Sequence, residues 1–173
     1  MQIIPEIEIS PESHTAIQQL RNAAFPDHQV ERSYYKQLPH YRMLAYSGDQ
    51  LIGHMGLDYR VIRTGDAVLK TLGVIDFCVH EHVRGQGIGS SMLVALSEYA
   101  QTRDVDFLML MSERTQFYSR HGFQPVTAHH SWLRLHEHQN YGIGFEPLNE
   151  LLVQSVNGLA WPSGHIDWLG YMF

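Results

Sequence analysis

The sequence holds a single cysteine, Cys78, so the chain can form no internal disulfide and nothing points to an oxidising compartment. It has no uninterrupted apolar stretch near the roughly 20 residues that a membrane-spanning helix needs. Met1 to Ser10 carry neither the basic start nor the apolar run of a secretory leader, and the expected compartment is the cytoplasm. An excess of positive charge is also missing. Lys and Arg number 12 against 18 Asp and Glu, a formal charge of −6, which argues against sequence-independent binding to nucleic acid or to anionic membranes. Arg60, Arg63 and Arg84 are too scattered to form a nucleic-acid patch. Internal repeats, low-complexity tracts and linker-like segments are lacking. What remains is globular composition, 44% hydrophobic and 17% charged over 173 residues, enough for one domain with a substantial core.

Ile3, Ile7 and Ile9 suggest a first strand, which Pro5 makes irregular or confines to an edge. Ser10-Pro11-Glu12 supplies an N-cap, a proline at the first helical position and an early acid. That helix runs through Ala16, Ile17, Leu20 and Ala23-Ala24 and stops before Pro26. A second, short helical patch is expected from about Val30 to Leu38. Tyr41 to Tyr46 and Leu51 to Ile62 read as strands joined by the turn Ser47-Gly48-Asp49-Gln50. Thr64-Gly65-Asp66 then turns the chain into a long strand region ending at Val79. Gly87 to Thr102 is the clearest helix, with Ile88, Met92, Ala95, Leu96 and Tyr99 on one apolar stripe. Phe107 to Met111 is continuously apolar, as in a strand buried on both faces. A short helix from about Arg114 to Arg120 stops at Gly122. Val126 to Ala128 and Trp132 to Leu135 read as a hairpin, and Leu148 to Val156 as a helical turn in a tail punctuated by glycine and proline. The order is α+β, with antiparallel strands early and a strand-helix-strand unit in the middle.

The most informative stretch is Val79-His80-Glu81-His82-Val83-Arg84-Gly85-Gln86-Gly87-Ile88-Gly89-Ser90, which leads from an apolar strand into the best helix. Its glycines let the backbone curl tightly and approach a ligand, while the first-turn amides of a helix lack internal partners and carry positive partial charge. Together these features describe a diphosphate site with the backbone amides of about Gln86 to Ser90 as donors. A Walker loop is excluded because no lysine follows the glycines. A Rossmann fingerprint is excluded because the spacing is Gly-x-Gly-x-Gly, and Asp104 and Asp106 precede the next strand instead of ending it.

The pattern Arg-x-x-Gly-x-Gly, carried by Arg84, Gly87 and Gly89, resembles the acyl-CoA pyrophosphate turn of the GNAT (Gcn5-related N-acetyltransferase) superfamily. Phe117-Tyr118-Ser119-Arg120-His121-Gly122-Phe123, about 30 residues further on, resembles the aromatic-Tyr-x-x-x-Gly-Phe signature of the same superfamily. The resemblance implies an α/β GNAT fold, a single domain over residues 1–173 with a splayed, mixed and mostly antiparallel sheet flanked by helices. It further implies acetyl-CoA as cosubstrate, held by the main chain of Phe77, Cys78 and Val79 and by Arg84, Gly85, Gln86, Gly87, Ile88, Gly89 and Ser90. Tyr118 would protonate the departing thiolate, or else it packs as an ordinary helix tyrosine. From Leu51 to Val79, and around Trp161 to His165, the chain is similar to aminoglycoside 2′-N-acetyltransferases and nodulation-factor N-acyltransferases. It departs from the former where Ile75 stands in place of a catalytic glutamate, so the acceptor stays open.

An amine attacks a thioester only when neutral, which calls for a base. Asp76 sits two residues before Cys78 and on its face, and is the first candidate; His54, His80 and Glu113 are weaker ones. Asp76 equally fits an ion-pair role. Cys78, on a buried strand, reads as an inert small residue. The chain has 12 histidines, but His80-x-His82, His129-His130 and His136-x-His138 lack an identifiable third ligand, and no metal is expected. Trp161, Trp168, Tyr171 and Phe173 fit an acceptor pocket, a core or a homodimer interface. The expected activity is acetyl transfer to a primary amine of a small molecule, an amino sugar among the options. The alternatives are an acyl-CoA-binding domain without turnover and transfer of a longer acyl chain.

Overall fold

The computed structural model describes residues 1–173, a mixed α/β chain of eight strands and three α-helices. The elements are β1 (Gln2–Pro5), α1 (Pro11–Ala24), β2 (Tyr41–Ser47), β3 (Gln50–Thr64), β4 (Ala67–Val79), α2 (Ile88–Gln101), β5 (Phe107–Met111), α3 (Thr115–Ser119), β6 (Gln124–His136), β7 (Gln139–Ser155) and β8 (Ile166–Tyr171). Two compact units emerge, one of residues 1–58 and 74–96, the other of residues 59–73 and 97–173. β3, β4 and α2 each contribute a part to both. No helix is long and apolar enough to cross a membrane.

In the first unit β1 pairs antiparallel with β2, and β2 with β3. The β2–β3 turn has Gly48 at φ +58, in the left-handed region that glycine enters without steric cost. α1 begins where its sequence dictates: the Ser10 side chain accepts from the Ser13 amide at 3.2 Å, and Pro11 opens the first turn. Its inner face buries Ile17 and Leu20 against Leu44, Leu51 and Cys78. The start of α2 packs closely on β3 at Gly53, where an added Cβ would lie 2.7 Å from the Met92 sulfur.

The second unit closes on itself. Its strands follow the order β3-β4-β5-β7-β6-β8, and β8 pairs again with β3 through Arg63↔Asp167 and Thr64↔Ile166. Pairing is parallel between β4 and β5 and between β6 and β8, and antiparallel between β5 and β7 and between β6 and β7. A ring of strands leaves no open edge. Its core gathers Ile62, Leu69, Phe107, Met109, Leu151, Val153, Ile166 and Trp168. The Phe173 ring lies on Gly73, so close that a Cβ there would stand 2.1 Å from it.

Three expectations about secondary structure need correction. Residues 30–38 form no helix, because side chains from elsewhere take their backbone groups. Asn22 bonds both the amide and the carbonyl of Val30, and Arg42 bonds the carbonyl of Ser33. Leu148 to Val156 is not a helical turn but the end of the long strand β7. Leu151–Val153 is flanked by β5 on one side and β6 on the other, and a short run buried that way looks the same in sequence whether strand or helix. The separate strands read at Val126 to Ala128 and Trp132 to Leu135 are one strand, β6, with register shifts between Val126 and Ala128 and between Leu133 and Leu135.

Candidate active site

In the first unit, β4 ends at Val79 and a 3₁₀ turn over Glu81–Val83 leads into the glycine-rich loop. Gly85 and Gly87 have φ of +77 and +84, and a Cβ at either would meet nothing within 4 Å. The glycines are therefore required by backbone conformation, not by crowding, and the loop stands open. The Ser91 amide bonds the Gly87 carbonyl at 2.9 Å, which makes Gly87 the N-cap of α2. Ile88 and Gly89 then supply first-turn amides with no intrahelical acceptor. The Arg84 side chain bends back to donate from Nε to the Val79 carbonyl at 3.1 Å, and Gln86 donates to the His82 carbonyl at 3.1 Å. Arg84, Gly85, Gln86 and Gly87 are all exposed, while Ile88, Gly89 and Ser90 are half-buried. This open, positively polarised helix start fits a diphosphate.

Upstream on β4, Phe77 and Val79 are half-buried and Cys78 is buried. Burial and the nearby Asp76 charge push the Cys78 thiol up to about 12, so it carries no thiolate near neutrality. Asp76 has φ +48, a left-handed residue near the end of the strand. Its carboxylate forms an ion pair with Arg21 of α1, Nε to Oδ2 3.0 Å, although that Nε is not aligned for a hydrogen bond. The pair engages the Asp76 carboxylate with a guanidinium that is only 2% exposed, the ion-pair role that its sequence context also fits. Lys36 also feels the Asp76 charge, though burial dominates and lowers its pKa.

His54, another candidate base, is wholly buried and has both ring nitrogens occupied. Nδ1 lies 3.1 Å from the Asp76 carbonyl oxygen and Nε2 lies 3.0 Å from Arg42 Nη1. Burial first, and then the Arg42 charge, lower its pKa to about 3. Arg42 in turn is held by Glu6, at 2.6 Å from Nε and 3.0 Å from Nη2, and by the Ser33 carbonyl and hydroxyl.

In the second unit, Tyr118 is buried in α3, with ring contacts to Phe117 and Phe123. Gly122, at φ +84, ends the helix by the expected left-handed turn, with the Phe123 amide bonding the Tyr118 carbonyl. Burial raises the Tyr118 pKa, against smaller lowering effects from a Ser112 hydrogen bond and Arg114. The phenol therefore holds its proton at neutral pH. Of the aromatic tail, Trp168 is core: it is 1% exposed and donates from its indole to His130 Nδ1 at 3.0 Å, while Trp161, Tyr171 and Phe173 are half-buried and Trp161 packs edge-on against Phe107. Burial lowers the His130 pKa to about 4. His80 and His82 rings lie 5.1 Å apart, and no group of three metal-ligating side chains forms around them.

The acetyltransferase (GNAT) domain family matches residues 7–126, more than half of the chain. The chain belongs to the GNAT acetyltransferases. None of the curated proteins matches its sequence. Among solved structures, Escherichia coli ElaA aligns at 20% identity and TM-score 0.61 over 89% of this chain and 97% of that one. A GNAT family acetyltransferase from Brucella melitensis, in complex with acetyl-CoA, aligns at 17% identity and TM-score 0.59 over 95% and 93%. An aminoglycoside 6′-N-acetyltransferase complexed with coenzyme A aligns at 14% identity and TM-score 0.60 over 94% and 100%. The chain also covers 32% of the length of an Enterococcus faecalis V583 protein, at 12% identity and TM-score 0.59. At these identities the likeness speaks for the fold.

Within this GNAT chain, sequence reasoning missed Glu6, Ser33 and Arg42 altogether. Arg42 lies between Tyr41 and Met43 at the start of an apolar strand, and a lone arginine in such a run was the available signal.

Proposed function

We propose that this GNAT chain acts as one domain and moves an acetyl group from acetyl-CoA directly to a primary amine of a small molecule. The observation that carries the reading is the exposed turn from Arg84 to Gly87, which leads from the end of β4 into the start of α2. The acetyl-CoA and coenzyme A bound to the Brucella and aminoglycoside-modifying relatives support the choice of cosubstrate. The amides of the Gln86 to Ser90 turn receive the pyrophosphate, and the main chain of Phe77, Cys78 and Val79 receives the acylated arm.

Acetyl-CoA supplies an activated acyl carbon. The acceptor nitrogen attacks it, a β4 amide stabilises the oxyanion, and the carbon–sulfur bond breaks. Tyr118 gives its phenolic proton to the departing thiolate, a role that rests on the motif around it and suits a phenol that stays protonated. The acceptor's proton leaves to water, since Asp76 and His54 are engaged elsewhere, and water returns a proton to the Tyr118 phenol. That same engagement favours a second reading, an acyl-CoA-binding domain without turnover.

Calorimetric titration with acetyl-CoA tests the site. Gly89→Asp puts a carboxylate in the first helical turn, where it suits the helix dipole but opposes a phosphate. Micromolar binding by the parent protein and at least about tenfold weaker binding by the variant are expected. No binding by a folded parent protein would overturn the proposal. Acetyl-CoA-dependent coenzyme A release across a panel of primary amines then separates transfer from binding alone.

A further inference from the structure

The buried chain of side chains behind β4 has no place in the acyl-transfer scheme. Glu6, Arg42 and His54 are 8%, 1% and 0% exposed, and burying charge in this way is costly unless the pair is fully bonded. The chain ends at one atom, the carbonyl oxygen of Asp76. That oxygen belongs to the one residue of β4 with positive φ, a conformation unfavourable for a side-chain-bearing residue unless its surroundings hold it.

The hydrogen-bond chemistry of the chain has only one solution. A guanidinium donates and never accepts, so His54 Nε2 must be the acceptor facing Arg42. The proton then sits on Nδ1, and a carbonyl oxygen 3.1 Å away takes it. Glu6 orients Arg42, Arg42 sets the tautomer of His54, and His54 holds the Asp76 carbonyl. All the peptide bonds are trans, so the Asp76 C=O and the Phe77 N–H in the same peptide plane point in opposite directions. Fixing one fixes the other. With the carbonyl drawn toward His54 on β3, the Phe77 N–H is aimed away from β3.

We propose that His54, kept in one tautomer by the Glu6–Arg42 pair, is a positioning residue that aims the Phe77 amide at the thioester oxygen. This rests on the acyl-transfer reading of the β4 site. His54 touches no substrate and acts through the peptide it holds. Its lowered pKa, about 3, agrees with the required neutral ring, and both Arg42 and Arg21 oppose its protonation.

The test uses acetyl-CoA labelled with carbon-13 at the carbonyl and isotope-edited infrared spectroscopy of the full chain. An amide bonded to the thioester oxygen lowers the carbonyl stretch relative to free acetyl-CoA, and the parent protein should show this. H54Q keeps an oxygen near Arg42 but no donor at the Nδ1 position, so it should lose the shift while its acetyl-CoA affinity stays within about twofold. H54N returns an N–H at the Nδ1 position and should recover most of the shift. A full shift in H54Q, with binding intact, overturns the positioning role and leaves acyl transfer standing. A parent protein that binds no acetyl-CoA overturns the acyl-transfer reading, and the proposal with it. Should H54Q fail to fold, nitrogen-15 NMR of the parent protein decides. His54 should remain neutral with its proton on Nδ1 between about pH 5 and 8. A proton on Nε2, or a titration in that range, overturns the proposal.

Discussion

The two units solve burial in opposite ways. The first buries charge: Glu6, Arg21, Arg42 and Asp58 are 8% exposed or less, and Arg42 and His54 form a bonded chain beside the apolar cluster of Ile17, Leu20, Leu44 and Cys78. The second closes a ring of strands over Phe107, Met109, Leu151, Ile166 and Trp168, and its buried polar side chains are the uncharged Thr64, Thr71 and His130, the last accepting from Trp168. A bonded charge network fixes direction at particular atoms, which a site that must aim a peptide needs. An apolar ring fixes volume and closure instead. The unit with the glycine turn and the left-handed Asp76 is the one that carries the network.

The comparison can be broken at its strongest points first. Trp168→Ala removes the largest fully buried side chain of the ring and should cost about 4 kcal/mol, measured by urea denaturation. Adding His130→Leu should not recover it, because the cavity remains. Arg42→Met strands the buried Glu6 carboxylate and should cost about 3 kcal/mol. Here a second substitution, Glu6→Leu, should recover most of the loss, since an apolar pair of similar volume needs no partner charge. Recovery in the ring, or none in the network, would erase the distinction.

Acid sharpens it further. His54 and His130 have folded pKa values near 3 and 4, below the unfolded value of about 6.5. The unfolded chain therefore takes up protons that the folded chain does not, and stability falls as pH drops below about 6.5. The His130 share of that loss is complete near pH 4 and the His54 share near pH 3, on the order of a few kcal/mol for each, read from denaturation midpoints against pH. Smallest of the four, Ser10→Ala removes the α1 cap and should cost about 1 kcal/mol in the same assay.

Much of the site was legible in the chain as written. The cap at Ser10, the turn at Gly85 and Gly87 and the stop at Gly122 depend on neighbours a few residues away, and each was read where it forms. α2 was read correctly, although its buried stripe of Met92, Leu93, Leu96 and Ala100 is rotated from the one expected. Asp76 was legible as a charged residue on β4 but not as an ion pair, because Arg21 reaches it from another element. Glu6 and Arg42, 36 positions apart, gave no periodic signal, and neither did the 104-position separation of Arg63 and Asp167 where β8 meets β3.

The sequence by itself determined α1, α2 and α3, the buried strand at Phe107 to Met111, the open glycine turn and the tyrosine motif. Capping, periodicity and left-handed backbone are short-range effects, written in adjacent residues. Tertiary structure alone decided the neutral tautomer of His54, the left-handed Asp76 and the closure of the second unit. Each of these depends on desolvation and on partners brought together across the chain, and neither quantity exists until the core has formed.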